Sequence, residues 1–359
     1  MQNIKNREIW VDNVKLTACI FVALGHFFQS MIPVNIISEN NLYLWFNQTI
    51  YYFHVPLFFI CSGYLYQKYN TINNFKSYKN NTFKKTLALG IPYFTFSIAT
   101  WILKMIFSGS VNNKNNCGLL DTLFIHPTSA YWYLYALFFI FLITPTLKNK
   151  KSATIALTIA MLFKISTTFF NGFGVSPIDY ILRNEIWFVI GMCLSVYGTQ
   201  KLSEKIKYST LVFTITIFII SSIIISHFKI NNNMLSFVLG LIACFTIISF
   251  NIIKFRNNQQ GKILGFLTKY TMPIYLMHTL FAAALRSLLF KLNIQTPIIH
   301  IILGIAISFI GPIVAAMIMK KQNVLNFSFI LQNLLKLKIQ NNRLVRMSVN
   351  NKTLILKQL

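Results

Sequence analysis

The sequence predicts an all-α, polytopic integral membrane protein with about ten transmembrane helices and both termini in the cytoplasm. Three observations predict this class. Of the 359 residues, 55% are hydrophobic and only 11% are charged, whereas a soluble domain carries about 25% charged residues. The mean hydropathy is +0.57. Lys and Arg number 33 against 7 Asp and Glu, a net charge of +26. This composition excludes a soluble globular domain and a disordered chain.

Ten stretches are long and apolar enough to cross the hydrocarbon layer of a membrane, which takes about 20 residues in a helix. They lie near residues 14–33, 42–66, 85–107, 131–147, 152–170, 182–198, 209–228, 234–253, 268–289 and 297–319. The first stretch lacks the small-residue cleavage site of a signal peptide, so we keep it as a span. Residues 1–319 are therefore predicted to form one transmembrane domain.

The basic residues fix the predicted orientation. With the N-terminus in the cytoplasm, 26 Lys and Arg fall in inner segments, as the positive-inside rule requires. Two more, Lys104 and Lys164, lie near outer helix ends and can snorkel. The five in outer segments are Lys114, Arg183, Lys229, Arg286 and Lys291. These residues occupy short gaps between apolar stretches and do not cluster on a soluble domain. We therefore expect a membrane surface as their partner and no nucleic acid.

Residues 320–359 form the second predicted domain, a basic cytoplasmic tail. Its apolar residues recur at helical spacing beside lysines, which predicts an amphipathic helix lying on the inner membrane surface. The five cysteines of the chain show neither a disulfide framework nor the spacing of metal ligands, so no metal is expected. No internal repeat supports an inverted-repeat transporter.

Ionisable side chains inside apolar spans are the strongest functional pointers in such a chain. His26 follows Lys15 by eleven residues, about 16 Å along a helix, which predicts an imidazole near mid-bilayer. A neutral imidazole there suits a general base that acts on a hydroxyl. The alternative is a histidine hydrogen-bonded to a neighbouring helix. Asp12 shares a helical face with Lys15. The structural alternative to a catalytic role is that Asp12 stabilises the free N–H groups of the first helical turn, while Lys15 extends its ammonium to the membrane surface.

Polar residues of the second and third spans have structural alternatives. His54 precedes Pro56 by two residues and can satisfy a carbonyl that the proline leaves free, while Gly63 permits close helix approach. Lys84 and Lys85 open the third span. They serve either as positive-inside anchors or as phosphate ligands.

Three further residues stand out in later spans. Glu185 is the more embedded carboxylate of its span and is a candidate to orient a histidine. His278 is a second mid-span imidazole, expected to bond to another helix. Trp132 is typical of an interfacial aromatic belt.

Five motifs in order resemble the integral-membrane acyltransferase 3 family, and look most like its fucose 4-O-acetylase-like branch, over about residues 7–319. They are REIWVDNVKLTACIFVALGHF, which carries Asp12, Lys15 and His26, then YFHVPLFFICSGYLY, KKTLALGIPYF, YWYLYALF and IYLMH. Val55 replaces the usual Met, Lys15 the more usual Arg, and Ala88 stands at the second basic position of the third motif.

The resemblance implies a bacterial cytoplasmic-membrane O-acetyltransferase. It would move an acyl group from cytoplasmic acetyl-CoA to a sugar hydroxyl of a cell-surface polysaccharide or its lipid-linked precursor. His26 and Asp12 would be catalytic, and Lys15, Lys84 and Lys85 would bind the donor. Support would come from His54, Tyr93, Trp132, Glu185 and His278.

Two mechanisms and two other functions stay open at this point. His26 either takes the hydroxyl proton for direct transfer or carries a transient acyl group. The prolines in the spans also allow a transporter or flippase of lipid-linked saccharides, and a non-catalytic scaffold would tolerate loss of His26.

Overall fold

The computed structural model describes residues 7–70, 72, 74–107, 118–128, 130–169 and 174–321. These ranges are helical, with connecting turns and no strand. The predicted all-α class is confirmed for them, and its physical basis is that helices satisfy their backbone groups within one segment, as lipid requires. The predicted tail helix, at 322–359, and the predicted outer segment 108–117 lie outside the described residues.

The described residues form fifteen α-helices. They are α1 (Ile9–Gln29), α2 (Asn41–Tyr51), α3 (His54–Tyr69), α4 (Phe75–Lys85), α5 (Ile91–Ile106), α6 (Leu119–Phe124), α7 (Trp132–Ile143), α8 (Lys150–Phe169), α9 (Ser176–Tyr197), α10 (Thr199–Lys205), α11 (Tyr208–His227), α12 (Asn233–Lys254), α13 (Lys262–Leu267), α14 (Thr271–Lys291) and α15 (Pro297–Lys321). A π-helical turn joins α4 to α5, and a 3₁₀ turn joins α13 to α14.

Six helical segments in the described ranges are long and apolar enough to cross a membrane. They are Ile9–Gln29, Phe75–Ile106, Tyr208–His227, Asn233–Lys254, Lys262–Lys291 and Pro297–Lys321. The apolar helix α7 is shorter. Every predicted span overlaps at least one helix, while the number ten and the orientation stay predictions.

The predicted continuous span over 42–66 is wrong, because the chain breaks between α2 and α3. Pro56 has no N–H to donate to the carbonyl of Tyr52, and its ring crowds that carbonyl. The backbone of Phe53 leaves the helical region at φ −130°. The Tyr52 carbonyl instead faces Gly240 of α12, where a Cβ would lie 2.6 Å from its oxygen.

The third predicted span begins too late, and proline is again part of the reason. The helix already runs from Phe75 and passes through the π-helical turn Thr86–Gly90 into α5. Pro92, near the start of α5, cannot donate to the carbonyl of Ala88, so the regular bonding pattern is interrupted there. The π-helical turn separates the basic C-terminal end of α4 from the apolar helix α5.

The closest helix pair is α3 with α9, and glycine makes it possible. A Cβ on Gly63 would lie 1.9 Å from the carbonyl oxygen of Phe188, and one on Gly191 would lie 1.9 Å from that of Ile60. Backbones in this contact tolerate no side chain, as small-residue interfaces in membranes require. The close approach predicted at Gly63 is thus confirmed.

Helix α1 lies at the centre of the bundle. It packs on α3, α12 and α14, and its contact residues Val11, Val14 and Ala18 are fully buried. The helix spans Ile9–Gln29 and not the predicted 14–33. A central α1 places its polar residues inside the protein, away from lipid.

Candidate functional site

His26 lies in the last turn of α1 and is half-buried. This position is nearer the C-terminal end of the helix than the mid-span location that the sequence predicted. Lys15 precedes it by eleven residues, close to three full turns, so the two side chains share one face of α1 about 16 Å apart. The face connects a basic end with a histidine end.

His278, on α14, stands beside His26. Their ring centroids are 5.5 Å apart. Nδ1 of His278 lies 3.0 Å and 2.9 Å from the carbonyl oxygens of Ile274 and Tyr275. The expected bond to another helix is therefore wrong, because the ring is held by carbonyls of its own helix. Carbonyls accept only, so Nδ1 must carry the proton and Nε2 presents its lone pair.

That lone pair has no hydrogen-bond partner among the described residues, although His278 is only 1% exposed. A buried polar atom without a partner is costly and needs an explanation. The ring borders a cavity together with His26, so a ligand or a water in that cavity can supply the missing donor.

This larger space, here called the Arg286 cavity, has a volume of about 720 Å³. It lies between the C-terminal ends of α1, α5 and α14. Its polar lining includes His26, His278, Thr100, Lys104, Arg286 and Lys291. Its apolar lining includes Phe27, Leu103, Phe107, Leu280 and Leu288. Neither Asp nor Glu is among its lining residues.

A second space of about 390 Å³, here called the aromatic cavity, borders the other side of His26. Trp132 and Tyr180 stack in its wall with ring centroids 5.2 Å apart. Its further lining includes Tyr51, His54, Tyr133, Lys164, Arg183 and Asn184. His26 thus borders both cavities, and Trp132 faces a protein cavity in addition to any role in an aromatic belt.

His54 does not take its predicted role at the carbonyl that Pro56 leaves free, which is that of Tyr52. Its Nδ1 hydrogen-bonds the carbonyl oxygen of Ile50 at the break between α2 and α3. The Ile50 carbonyl also accepts the backbone N–H of Phe53 over 3.3 Å, so the imidazole is a second partner of this carbonyl. His54 is 4% exposed and reaches the aromatic cavity as well.

The three predicted donor-binding lysines come together at the other end of α1. Lys85 lies within electrostatic range of both Lys15 and Lys84. Its ammonium also sits 4.0 Å from the ring centroid of Phe141, a cation–π contact. Three cations in one place form a site that favours an anion such as phosphate.

Asp12 belongs to this basic end and not to the histidine end. It forms an ion pair with Arg7, which also donates to Thr268 Oγ1 over 3.1 Å. His26 lies fourteen residues further along α1, about 21 Å. The structure therefore does not bring the two predicted catalytic residues together, and Asp12 is too far away to orient the imidazole.

A packed layer separates the lysines from the histidines. On the α1 face between Lys15 and His26, Cys19 and Val22 are 1% and 3% exposed. The Cys19 thiol lies 3.4 Å from the carbonyl oxygen of Thr271 on α14. Neither cavity at His26 is lined by Lys15, Lys84 or Lys85.

Glu185 and Tyr93 lie outside both cavities. Glu185 is 8% exposed and accepts a hydrogen bond of 3.1 Å from Thr144, so its partner is a threonine and not the expected histidine. Its second oxygen has no partner in the described ranges. The Tyr93 hydroxyl donates to the carbonyl of Leu123 over 2.7 Å, which ties α5 to α6.

Sequence reasoning missed the cations of the Arg286 cavity. The charge count places Arg286 and Lys291 in outer segments and Lys104 near an outer helix end, where it can snorkel. One signal was available: Arg286 stands inside the apolar run of α14, where a charge usually faces the protein interior. In the structure Arg286 is 8% exposed and donates to the carbonyl of Ser30 over 3.1 Å.

A comparison with known protein families identifies the family of the chain. Residues 8–317 match the family model of the acyltransferase 3 family, described as an acyltransferase domain. The match covers most of the chain, which therefore belongs to this family of membrane acyltransferases. No curated protein and no solved structure matched the chain.

Proposed function

We propose that the protein is a membrane O-acyltransferase of the bacterial cytoplasmic membrane. It moves an acyl group, acetyl in the simplest case, from cytoplasmic acyl-CoA to a sugar hydroxyl of a cell-surface polysaccharide or its lipid-linked precursor. Membership of the acyltransferase family supports group transfer. The observation that carries the proposal is the position of His26 at the boundary of two cavities, with His278 beside it.

His26 acts as the general base for direct transfer. Its neutral ring has one nitrogen with a lone pair, which takes the proton of the sugar hydroxyl. The hydroxyl oxygen attacks the thioester carbonyl, the C–S bond breaks, and the leaving thiolate of CoA takes the proton from the His26 imidazolium, which becomes neutral again. His278 supports this step because its Nε2 can accept a hydrogen bond from the N–H of the neighbouring His26 ring.

The aromatic cavity provides the surroundings that a sugar needs. Aromatic faces pack against the apolar C–H face of a pyranose, while hydroxyl, amide and cationic groups meet its hydroxyls. Tyr51, Trp132 and Tyr180 supply the faces, and Asn184 supplies an amide. A sugar bound there presents a hydroxyl to His26.

The lysines at the start of α1 bind the phosphates of CoA. Lys15, Lys84 and Lys85 form one cationic cluster, and the extended pantetheine arm would cover the 16 Å to His26 along the same helix face. Cys19 and Val22 fill that path in this structure. Donor binding therefore requires α14 to move away from α1 at the contact between Cys19 and Thr271.

Purified protein in lipid nanodiscs tests the proposal. With acetyl-CoA and an oligosaccharide acceptor, the wild type should release free thiol and form an ester, and His26→Ala should lose at least about 100-fold in rate because the base is gone. His227→Ala, an exposed histidine on α11, is the matched control. Full activity in His26→Ala would refute the role. A transporter, which the broken α2–α3 segment would also suit, releases no thiol.

A further inference from the structure

We propose that the Arg286 cavity binds a phosphate group carried on an apolar chain. Under the proposed function, on which this assignment of the ligand as acceptor rests, that group is the phosphate of a lipid-linked sugar. The site is distinct from the lysine cluster at the start of α1. It lies at the histidine end of the bundle, away from the lysines that are proposed to bind CoA.

The charge of the cavity is one-sided. Among the described residues, Lys104, Arg286 and Lys291 line it and no carboxylate does. Arg286 is more than nine-tenths buried, and within the described ranges it has no ion pair with an acidic residue. The hydrogen bond that it makes to the described residues goes to the neutral carbonyl of Ser30. A buried cation of this kind is costly until an anion compensates it.

Arginine is suited to phosphate in particular. Its planar guanidinium carries five N–H donors, so the donor used by the Ser30 carbonyl leaves a fork for two phosphate oxygens. Lys104 and Lys291 approach from α5 and from the end of α14 and add point charges. With Arg286 they place three positive charges at the cavity, enough to compensate the one negative charge of a phosphodiester or the two of a phosphate monoester.

The remaining wall shows what the phosphate is attached to. Phe27, Leu103, Phe107 and Leu288 give the cavity a mainly apolar surface. A hydrophilic anion alone would leave that surface facing water. An apolar chain covers it and removes it from water, which favours binding.

The spacing between His278 and Arg286 along α14 indicates where the reacting sugar would lie. Arg286 follows His278 by eight residues, about 12 Å along the helix. A phosphate at Arg286 therefore leaves room for a sugar unit between it and the two imidazoles. This unit would extend toward the aromatic cavity, which begins on the other side of His26.

Binding of farnesyl phosphate to the purified full-length protein in nanodiscs is the direct test, measured by native mass spectrometry and by the midpoint of thermal unfolding. Farnesol, inorganic phosphate and phosphatidylglycerol are the comparison ligands. The variants are Lys104→Gln with Lys291→Gln, and Lys229→Gln, an exposed lysine outside the cavity, as control. The double variant avoids Arg286, whose bond to Ser30 supports the fold.

We expect farnesyl phosphate to bind the wild type and the control alike, and the double variant at least about 10-fold more weakly, since each lost charge contact removes a substantial part of the affinity. Equal binding of farnesol, or unchanged binding by the double variant, would overturn the proposal. Equal binding of inorganic phosphate would overturn the apolar-chain part, and equal binding of phosphatidylglycerol would identify a bulk-lipid site and overturn the acceptor assignment.

The two proposals fail separately. If the wild type binds this probe but transfers no acyl group to any acceptor, the phosphate site stands and the transferase function falls. If it acylates neutral oligosaccharides and lipid-linked sugars at the same rate, and the double variant does so too, the transferase stands and the acceptor assignment falls.

Discussion

At the scale of single residues, the decisive feature is a pair of imidazoles on different helices. His278 is fixed through Nδ1 by two carbonyls of α14 and offers Nε2 to the cavity. His26 has its ring 5.5 Å away. One ring with a fixed tautomer beside a second ring is the arrangement in which the first orients the second. His278 is accordingly a positioning residue for His26.

Replacing His278 by Asn tests this role. The Asn amide can keep a donor near the Nδ1 position but leaves nothing at Nε2, so folding is preserved while the orientation of His26 is lost. We expect kcat to fall by about 10-fold or more, with the KM for acetyl-CoA unchanged. The melting temperature should stay within a few degrees of the wild type. An unaltered kcat would count against the pair.

A second residue-scale prediction concerns the donor. Lys85→Ala removes one cation of the cluster with Lys15 and Lys84, so the KM for acetyl-CoA should rise by about 5- to 10-fold while the KM for the acceptor stays constant. Lys79→Ala, an exposed lysine on the same helix α4, is the control. Steady-state rates measured against the concentration of each substrate give the two KM values. An equal rise in both would show that Lys85 does not contact the donor selectively.

At the scale of elements, the sequence predicts which segments are helical better than it predicts where each helix ends or which helices pack together. Length and hydropathy are local properties, so every apolar stretch lies on a helix. Pro56 and Pro92 were visible as interruptions, but where the chain resumes depends on contacts such as Tyr52 with Gly240, which come from distant segments. The pairing of His26 with His278 joins residues far apart in the chain, so no local pattern could reveal it.

The contact of α3 with α9 gives the element-scale prediction. Gly63→Ala places a methyl group against the Phe188 carbonyl, a backbone atom that cannot rotate away, so the helices must separate. We expect a loss of about 3 kcal/mol or more in unfolding free energy and a clearly lower melting temperature. Gly261→Ala, where a Cβ meets nothing within 4 Å, should change neither. Equal stability of the two variants would show that α3 and α9 are not so closely packed.

At the scale of the whole molecule, the chain has two chemically different ends. The lysine cluster and the Arg7–Asp12 pair lie at the N-terminal end of α1. The histidines and the Arg286 cavity lie at the C-terminal end of α1. The positive-inside rule predicts the first end in the cytoplasm. This polarity suits a donor from the cytoplasm and an acceptor from the opposite side.

Cysteine labelling tests the orientation in intact cells. In a background with Cys117→Ser and Cys193→Ser, Lys229→Cys should react with a membrane-impermeant thiol reagent and Lys262→Cys should not, because the predicted topology places them outside and inside. Both positions are exposed, and the native Cys19, Cys61 and Cys244 are buried. Permeabilised cells provide the control, since both cysteines should then react. The reverse pattern would invert the topology.

The central claim is that His26 serves acyl transfer to a glycan, and the ester content of the cell-surface glycan tests it most directly. Glycan from cells that carry the wild type should contain an O-acyl ester, and glycan from cells with His26→Ala or without the protein should lack it, while both forms of the protein are present in the membrane at equal amounts. An unchanged ester content in the His26→Ala cells would contradict the account.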